Sequence, residues 1–428
     1  MNTSSTGNRA LLGLLALTLV ATCIRFSRTL EDFLPFSSDN TIEIQDPLPL
    51  KLDRDTEIAE IFNTSIYESD TTDVETAIEV NLKTIQELKA ECDILAAIWT
   101  VKNIADIPDS DCRRMEIACG INNCHAALFD AVVTWVNGSD ASWKTNYGNG
   151  IRYVANLDST LAKASSADSR FRDFDQLKYT LRSIEDNTPW VRRIYIITDN
   201  QWPVYLRPAD QALRIRYVSH TDLFDNYYNT MRPELLTSPR LPCFNSITLE
   251  LLTPFIPSLS NVYLNLNDDT GFLNPTPLDF VYNTTSEKAV LRLWSWYDSN
   301  FQNGMDKNAL DWAKLDLLLN AWHTIPEVME SIVYHPFRHQ TDPTTWPFVM
   351  LLGYPTHYES RSEENEILFN KLKKNSYQRL LTQMKEDTVT KMLCLNDDME
   401  DDAVTPEVFD EIHEAYQSKF PKKASFEM

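Results

Sequence analysis

With 428 residues the chain can hold one large domain or two to three ordinary ones, and its 43% apolar and 24% charged residues exclude both a disordered chain and a polytopic membrane protein. Its 62 Asp and Glu against 39 Lys and Arg give a formal charge of −23. That charge repels phosphate backbones and argues against nucleic-acid partners, though it leaves room for a local basic pocket.

Residues 10–24 (ALLGLLALTLVATCI) are the one long apolar run. As a helix they would extend about 22 Å, short of a full crossing, so residues 1–28 read as a signal peptide or a short signal anchor. Membrane attachment is expected through this segment. Residues 29–125 are expected to form a stem and a helical, cysteine-bearing cap. Within it, Ile78, Leu82, Ile85, Leu88 and Leu95 recur at helical spacing over 73–99. Cys92, Cys112, Cys119 and Cys124 crowd together, which predicts two local disulfides, with a zinc site as the rival. Sequons at Asn63 and Asn283 agree with a luminal body.

Residues 126–428 are expected to form the main domain. DAVVTWV (130–136), RRIYIIT (192–198), LRIRYVS (213–219) and NVYLNLN (261–267) read as buried strands, and 170–186 and 245–256 as helices. The alternation predicts an α/β fold with a mostly parallel sheet flanked by helices. Polar residues follow three strand ends, at 137–140, 199–201 and 267–269, where ligands bind in open α/β sheets. No G-x-G-x-x-G and no Walker A loop occurs.

Five clusters carry chemistry. Asp268 and Asp269, adjacent at a strand end, could hold a divalent cation (Mg²⁺ or Mn²⁺) that bridges a diphosphate, or form a solvated turn. TWVNGSD offers Trp135 for stacking, with Asn137, Gly138 and Asp140 in a tight turn; a buried Trp before an ordinary Asn-Gly turn is the plainer reading. Arg170 and Arg182, 12 positions apart, would share a helix face and clamp phosphate, or pair at the surface with Asp173 and Asp175. Arg172 stands in the same cluster. His335, Arg338, His339 and Asp342 could supply a base and transition-state charge. Asn396-Asp397-Asp398 is a second acidic turn.

In this order the pieces resemble the Stealth family of sugar-phosphate transferases. That family includes the catalytic subunit of the lysosomal-targeting N-acetylglucosamine-1-phosphotransferase and bacterial capsule polymerases. The similar blocks are DAVVTWVNGSD (130–140), the stretch from Ser169 through Asp269, HPFRHQTD (335–342), and MLCLNDD with the closing FPKKASFE (392–398, 420–427). The resemblance implies phosphoryl transfer from a nucleotide-sugar donor, typically UDP-N-acetylglucosamine, to a glycan or polysaccharide hydroxyl, with a divalent cation as cofactor. It implies Glu250, Asp269, Arg338 and Asp397 as catalytic positions. Trp135, Asn137, Gly138, Asp140, Arg170, Asp173 and Arg182 match the substrate-binding blocks. A Golgi or secretory-pathway membrane is the implied location, and homodimerisation is left open.

Two departures stand out. Gln176 replaces a family carboxylate. The third block's histidine falls near Asn308, so His323, His335, Glu250 or Asp269 would act as base. The alternatives are an inactive sugar-nucleotide-binding homologue and a metal-dependent glycosyltransferase, which would release UDP rather than UMP.

Overall fold

Four runs rich in β-branched and aromatic residues make the centre of the molecule: β1 (Phe129–Thr134), β2 (Val191–Thr198), β3 (Ile215–Ser219) and β4 (Val262–Asn267). They pair in parallel in the order β3-β2-β1-β4. β1 and β2 are buried at every position, as parallel strands covered on both faces must be. The computed structural model describes residues 83–100, 103–127, 129–157, 168–236, 242–292, 311–314, 322, 326–333, 335–339, 358–361 and 367–428. The chain divides after Lys83, and the account below is of Thr84–Met428. The apolar run at 10–24, Asn63, Asn308, His323 and Asp342 lie outside the described residues. No described helix is long and apolar enough to cross a membrane.

Two residues separate β4 from β5 (Thr270–Phe272). β6 (Tyr282–Asn283) and β7 (Lys288–Arg292) pair antiparallel, and β8 (Asp311–Lys314) returns antiparallel to β4 as the sheet's outer strand. β9 (Tyr358–Arg361) extends the β6–β7 pair. β10 (Ile367–Leu372) and β11 (Met392–Asp397) run parallel, and β11 takes β5 antiparallel on its other side. β4 and β5 therefore belong to two different sheets and are joined by Asp268 and Asp269 alone.

The first helices are α1 (Ile85–Ile98), which Thr84 and Glu87 start with a capping box, and α2 (Asp109–Cys119). The two expected disulfides are present, as Cys92–Cys119 and Cys112–Cys124. Lys89 Nζ donates to the Ala209 and Ile215 carbonyls at 2.6 and 3.0 Å, and Arg193 pairs with Asp93 at 2.8 Å. The cysteine-bearing helices thus pack on the strands rather than standing apart. Nearby, Asp130 is fully buried between Arg193 (2.6 Å) and Arg192 (3.3 Å). Burial alone would raise its carboxyl, but the two guanidiniums outweigh it and hold it down at about 2.

α3 (Ala141–Leu157) follows β1, and α4 (Gln176–Asn187) precedes β2. The expected helix over 170–186 starts six residues late. Asp175 takes a left-handed conformation (φ 59°) that α-helix cannot continue through, and the Asp173 carboxylate accepts from the Gln176 N–H at 3.3 Å. Arg170 and Arg182 therefore do not share a helix face. α5 (His220–Met231) leaves β3 directly, α6 (Ser246–Leu252) precedes β4, and α7 (Pro326–Val333) precedes the third block. α8 (Tyr377–Glu386) and α9 (Pro406–Lys419) cover β10 and β11. They close a second core with Phe174, Tyr179, Leu381, Leu395, Ile412 and Tyr416.

Candidate active site

The chain runs from β1 outward to β3 on one side, then starts again with β4 on the other. In open α/β sheets such a switch leaves a crevice at the carboxyl ends of the two central strands. A cavity of about 450 Å³ opens there, between Thr134–Val136 after β1 and Asn267–Asp269 after β4.

The second sheet supplies its other acids. Backbone pairing of β5 with β11 sets Cys394 opposite Thr270, and the Leu395 N–H donates to the Asp269 carbonyl at 3.2 Å. The Asn396 amide donates to the Asp269 carboxylate at 3.3 Å. Thr180 Oγ1 on α4 lies 2.7 and 2.6 Å from the Asp268 and Thr270 carbonyls and fixes the turn from below. So Asp268, Asp269, Asp397 and Asp398 all line one cavity. Burial raises the Asp268 and Asp269 carboxyls, and the Asp269 charge drives Asp268 up further; Asn396 and Arg338 offset part of the rise at Asp269.

Cations stand opposite. Arg170 and Arg338 are exposed at the rim. Partial burial, and then the Arg338 charge, disfavours the Arg170 cation, so the two guanidiniums share one electrostatic space. Arg338 donates to Ser246 Oγ, and its segment is held by the Phe244 N–H on the Pro336 carbonyl at 2.7 Å. Phe337 anchors it in an aromatic cluster with Trp143, Tyr147 and Phe244. Arg172 bridges Asp397 (2.6 Å) and Asp401. Burial pushes the Asp397 carboxyl up to about 6 even so, because Asp398 and Asp401 add to it.

Trp135 lines the cavity and donates from Nε1 to Asp173 at 2.9 Å. Asp173 sits behind it, pushed up to about 6 by burial. The Gln176 amide donates to the Leu395 carbonyl at 3.0 Å, which an ionised carboxylate cannot do.

Other expected residues are not among those that line the cavity. Gly138 packs under Phe171, whose carbonyl would lie 2.0 Å from a β-carbon there. Asn137 closes its own turn onto Ser139, at 2.6 Å. Asp140 caps α3 through the Trp143 N–H at 2.8 Å. Arg182 is buried in a two-point pair with Glu427, at 2.7 and 2.8 Å. Glu250 is buried within α6, next to the lining residue Leu249, and His335 lies against His339, beside the lining residues Phe337 and Arg338. Conversely, Arg172 and His220 belong to the wall. His220 directly follows a strand and its Ser219 cap, a strand-end position of the same kind as the acidic turn after β4.

Comparison with known proteins places the same segments. Residues 170–290 match Stealth protein conserved region 2, and residues 384–428 match conserved region 4. A capsular polysaccharide phosphotransferase of Actinobacillus pleuropneumoniae is 36% identical over 148 residues, 35% of this chain and 36% of that one. One from Aeromonas hydrophila is 35% identical over 149 residues, again 35% and 36%. One from Haemophilus influenzae is 26% identical over 303 residues, 63% of this chain and 78% of that protein. The chain thus spans little more than a third of the length of the first two relatives.

Proposed function

We propose that this chain, which carries conserved regions 2 and 4 of the Stealth proteins, transfers a sugar 1-phosphate from a nucleoside-diphosphate sugar to a hydroxyl of a glycan or polysaccharide. The relatives, named as capsular polysaccharide phosphotransferases, support phosphotransfer in general; UDP-N-acetylglucosamine is our choice of donor. One observation carries the reading: two rim arginines face an acidic floor built from two sheets at the strand switch point.

The acceptor oxygen attacks the β-phosphorus, and the bond from that phosphorus to the α-bridging oxygen breaks. UMP departs with the electron pair, and the sugar's C1–O bond is untouched. Arg170 and Arg338 hold the transferring phosphoryl group in line and balance its charge. Asp397, ionised above about 6 and held in place by Arg172, takes the proton of the attacking hydroxyl. Asp268 and Asp269 suit a hard divalent cation, because both offer oxygen and their mutual charge drives Asp268 toward protonation. Mg²⁺ or Mn²⁺ held there would neutralise phosphate charge. The two disulfides agree with our placement in the Golgi lumen, anchored through residues 10–24.

The test is to incubate the full chain with UDP-N-acetylglucosamine, Mg²⁺ or Mn²⁺ and a hexose acceptor, then identify the nucleotide released. Acceptor-dependent UMP is expected. UDP would make the protein a glycosyltransferase. Binding without release would make it an inactive sugar-nucleotide-binding homologue.

A further inference from the structure

Among the described residues, three buried polar groups in the cavity wall lack hydrogen-bond partners: Thr134 Oγ1, Trp143 Nε1 and both ring nitrogens of His220. Each is nine-tenths or more buried. An orphaned buried polar group is costly, so three around one cavity ask for a ligand that satisfies them. His220 is the most telling. Its nearest described carboxylate, Asp199, is 4.0 Å from Nδ1, too far for a hydrogen bond. Burial lowers its pKa to about 3, so the ring is neutral, with one N–H donor and one nitrogen acceptor. A neutral ring does not bind phosphate as a counter-charge. It suits a neutral partner that offers hydrogen bonds of both kinds.

Position decides which partner. His220 stands at the carboxyl end of β3, and the acidic pair at the end of β4. In the order β3-β2-β1-β4 that is three strand spacings, about 14 Å. A histidine so placed is too distant to take the proton of a hydroxyl attacking phosphorus at the acidic floor. It is placed for the far end of an extended ligand whose phosphates sit between the acids and the rim arginines. We propose that His220 binds the nucleoside end of the donor, through its ribose hydroxyls or its base. This rests on the nucleoside-diphosphate donor of the proposed function. It makes His220 a residue of donor specificity, and not the missing base.

The experiment is calorimetric titration of the full chain, wild type and His220→Leu, with uridine monophosphate, ribose 5-phosphate and pyrophosphate. The variant should bind uridine monophosphate about tenfold more weakly. Pyrophosphate should bind it as it binds wild type. A matching loss for ribose 5-phosphate assigns the contact to the ribose, and no loss there assigns it to the base; both support the proposal. Equal loss for all three ligands, or none, overturns it. Wild type that binds neither nucleotide nor pyrophosphate overturns the donor reading itself and the assignment with it. Should His220→Leu misfold, nitrogen-15 NMR of histidine-labelled wild type decides the same question. The His220 ring signals should move with uridine monophosphate and stay put with pyrophosphate, and the reverse overturns the proposal.

Discussion

Arg338 and Asp397 come from segments that share no element, yet both line the one cavity. Arg338 is exposed and donates to a serine hydroxyl, so its removal leaves no buried charge behind. Arg338→Ala should keep the unfolding free energy within about 0.5 kcal/mol of wild type. Its kcat should fall by about 10²–10³, as for other lost transition-state charges. A change confined to acceptor KM would make it a binding residue. For Asp397 the expected signature is in pH. Its ionised form is the competent one, and burial sets its pKa at about 6. The rate should therefore rise with pH through 6 and level off above it. Asp397→Asn should lower the rate and remove that acid limb, while an unshifted limb would transfer the role to Asp173, which titrates in the same range.

At the scale of elements, α4 holds the two sheets to each other. Its outer face carries Arg182 onto Glu427, with further bonds to Gln417 (2.9 Å) and the Phe420 carbonyl (2.8 Å). Both members of the pair are 3% exposed. Glu427→Ala leaves the Arg182 charge buried without its partner, so denaturant unfolding should show a loss of about 3–5 kcal/mol. A loss below about 1 kcal/mol would mean that water reaches the pair. This pair also marks a limit of the sequence. Strands were legible because Val, Ile and Tyr run unbroken where a parallel strand is covered on both faces. The start of α4 was not, because an Asp at positive φ carries no periodic signal. Arg182 looked like a phosphate clamp because its partner lies 245 positions away. The two acidic turns were each visible, but their meeting depends on β5, a strand of three residues that no pattern announces. His220 was hidden for a different reason: its lack of partners is a property of packing alone.

Over the whole molecule, the two ends of the main sheet have separate tasks. The amino ends of β1 and β2 bury charge in the Asp130–Arg192–Arg193 network and take the disulfide-tied helices. The carboxyl ends open into the cavity. Reduction of Cys92–Cys119, which closes a loop of 27 residues, should lower stability by about 3–4 kcal/mol. Nucleotide affinity measured well below the transition should stay the same, and a parallel drop in affinity would show that the two ends are coupled.

The β5–β11 pairing also sets an order in time. A ribosome that has delivered β4 and its acidic pair has still to make more than a hundred residues before β11 can bring Asp397 to them. Glu427, which fastens α4 from outside, emerges later still. On the proposed function, a nascent chain would therefore carry the acidic pair after β4 long before it could act on anything. Catalytic competence would arrive in one step, late in synthesis, and a chain cut short anywhere before β11 would be silent rather than partly active.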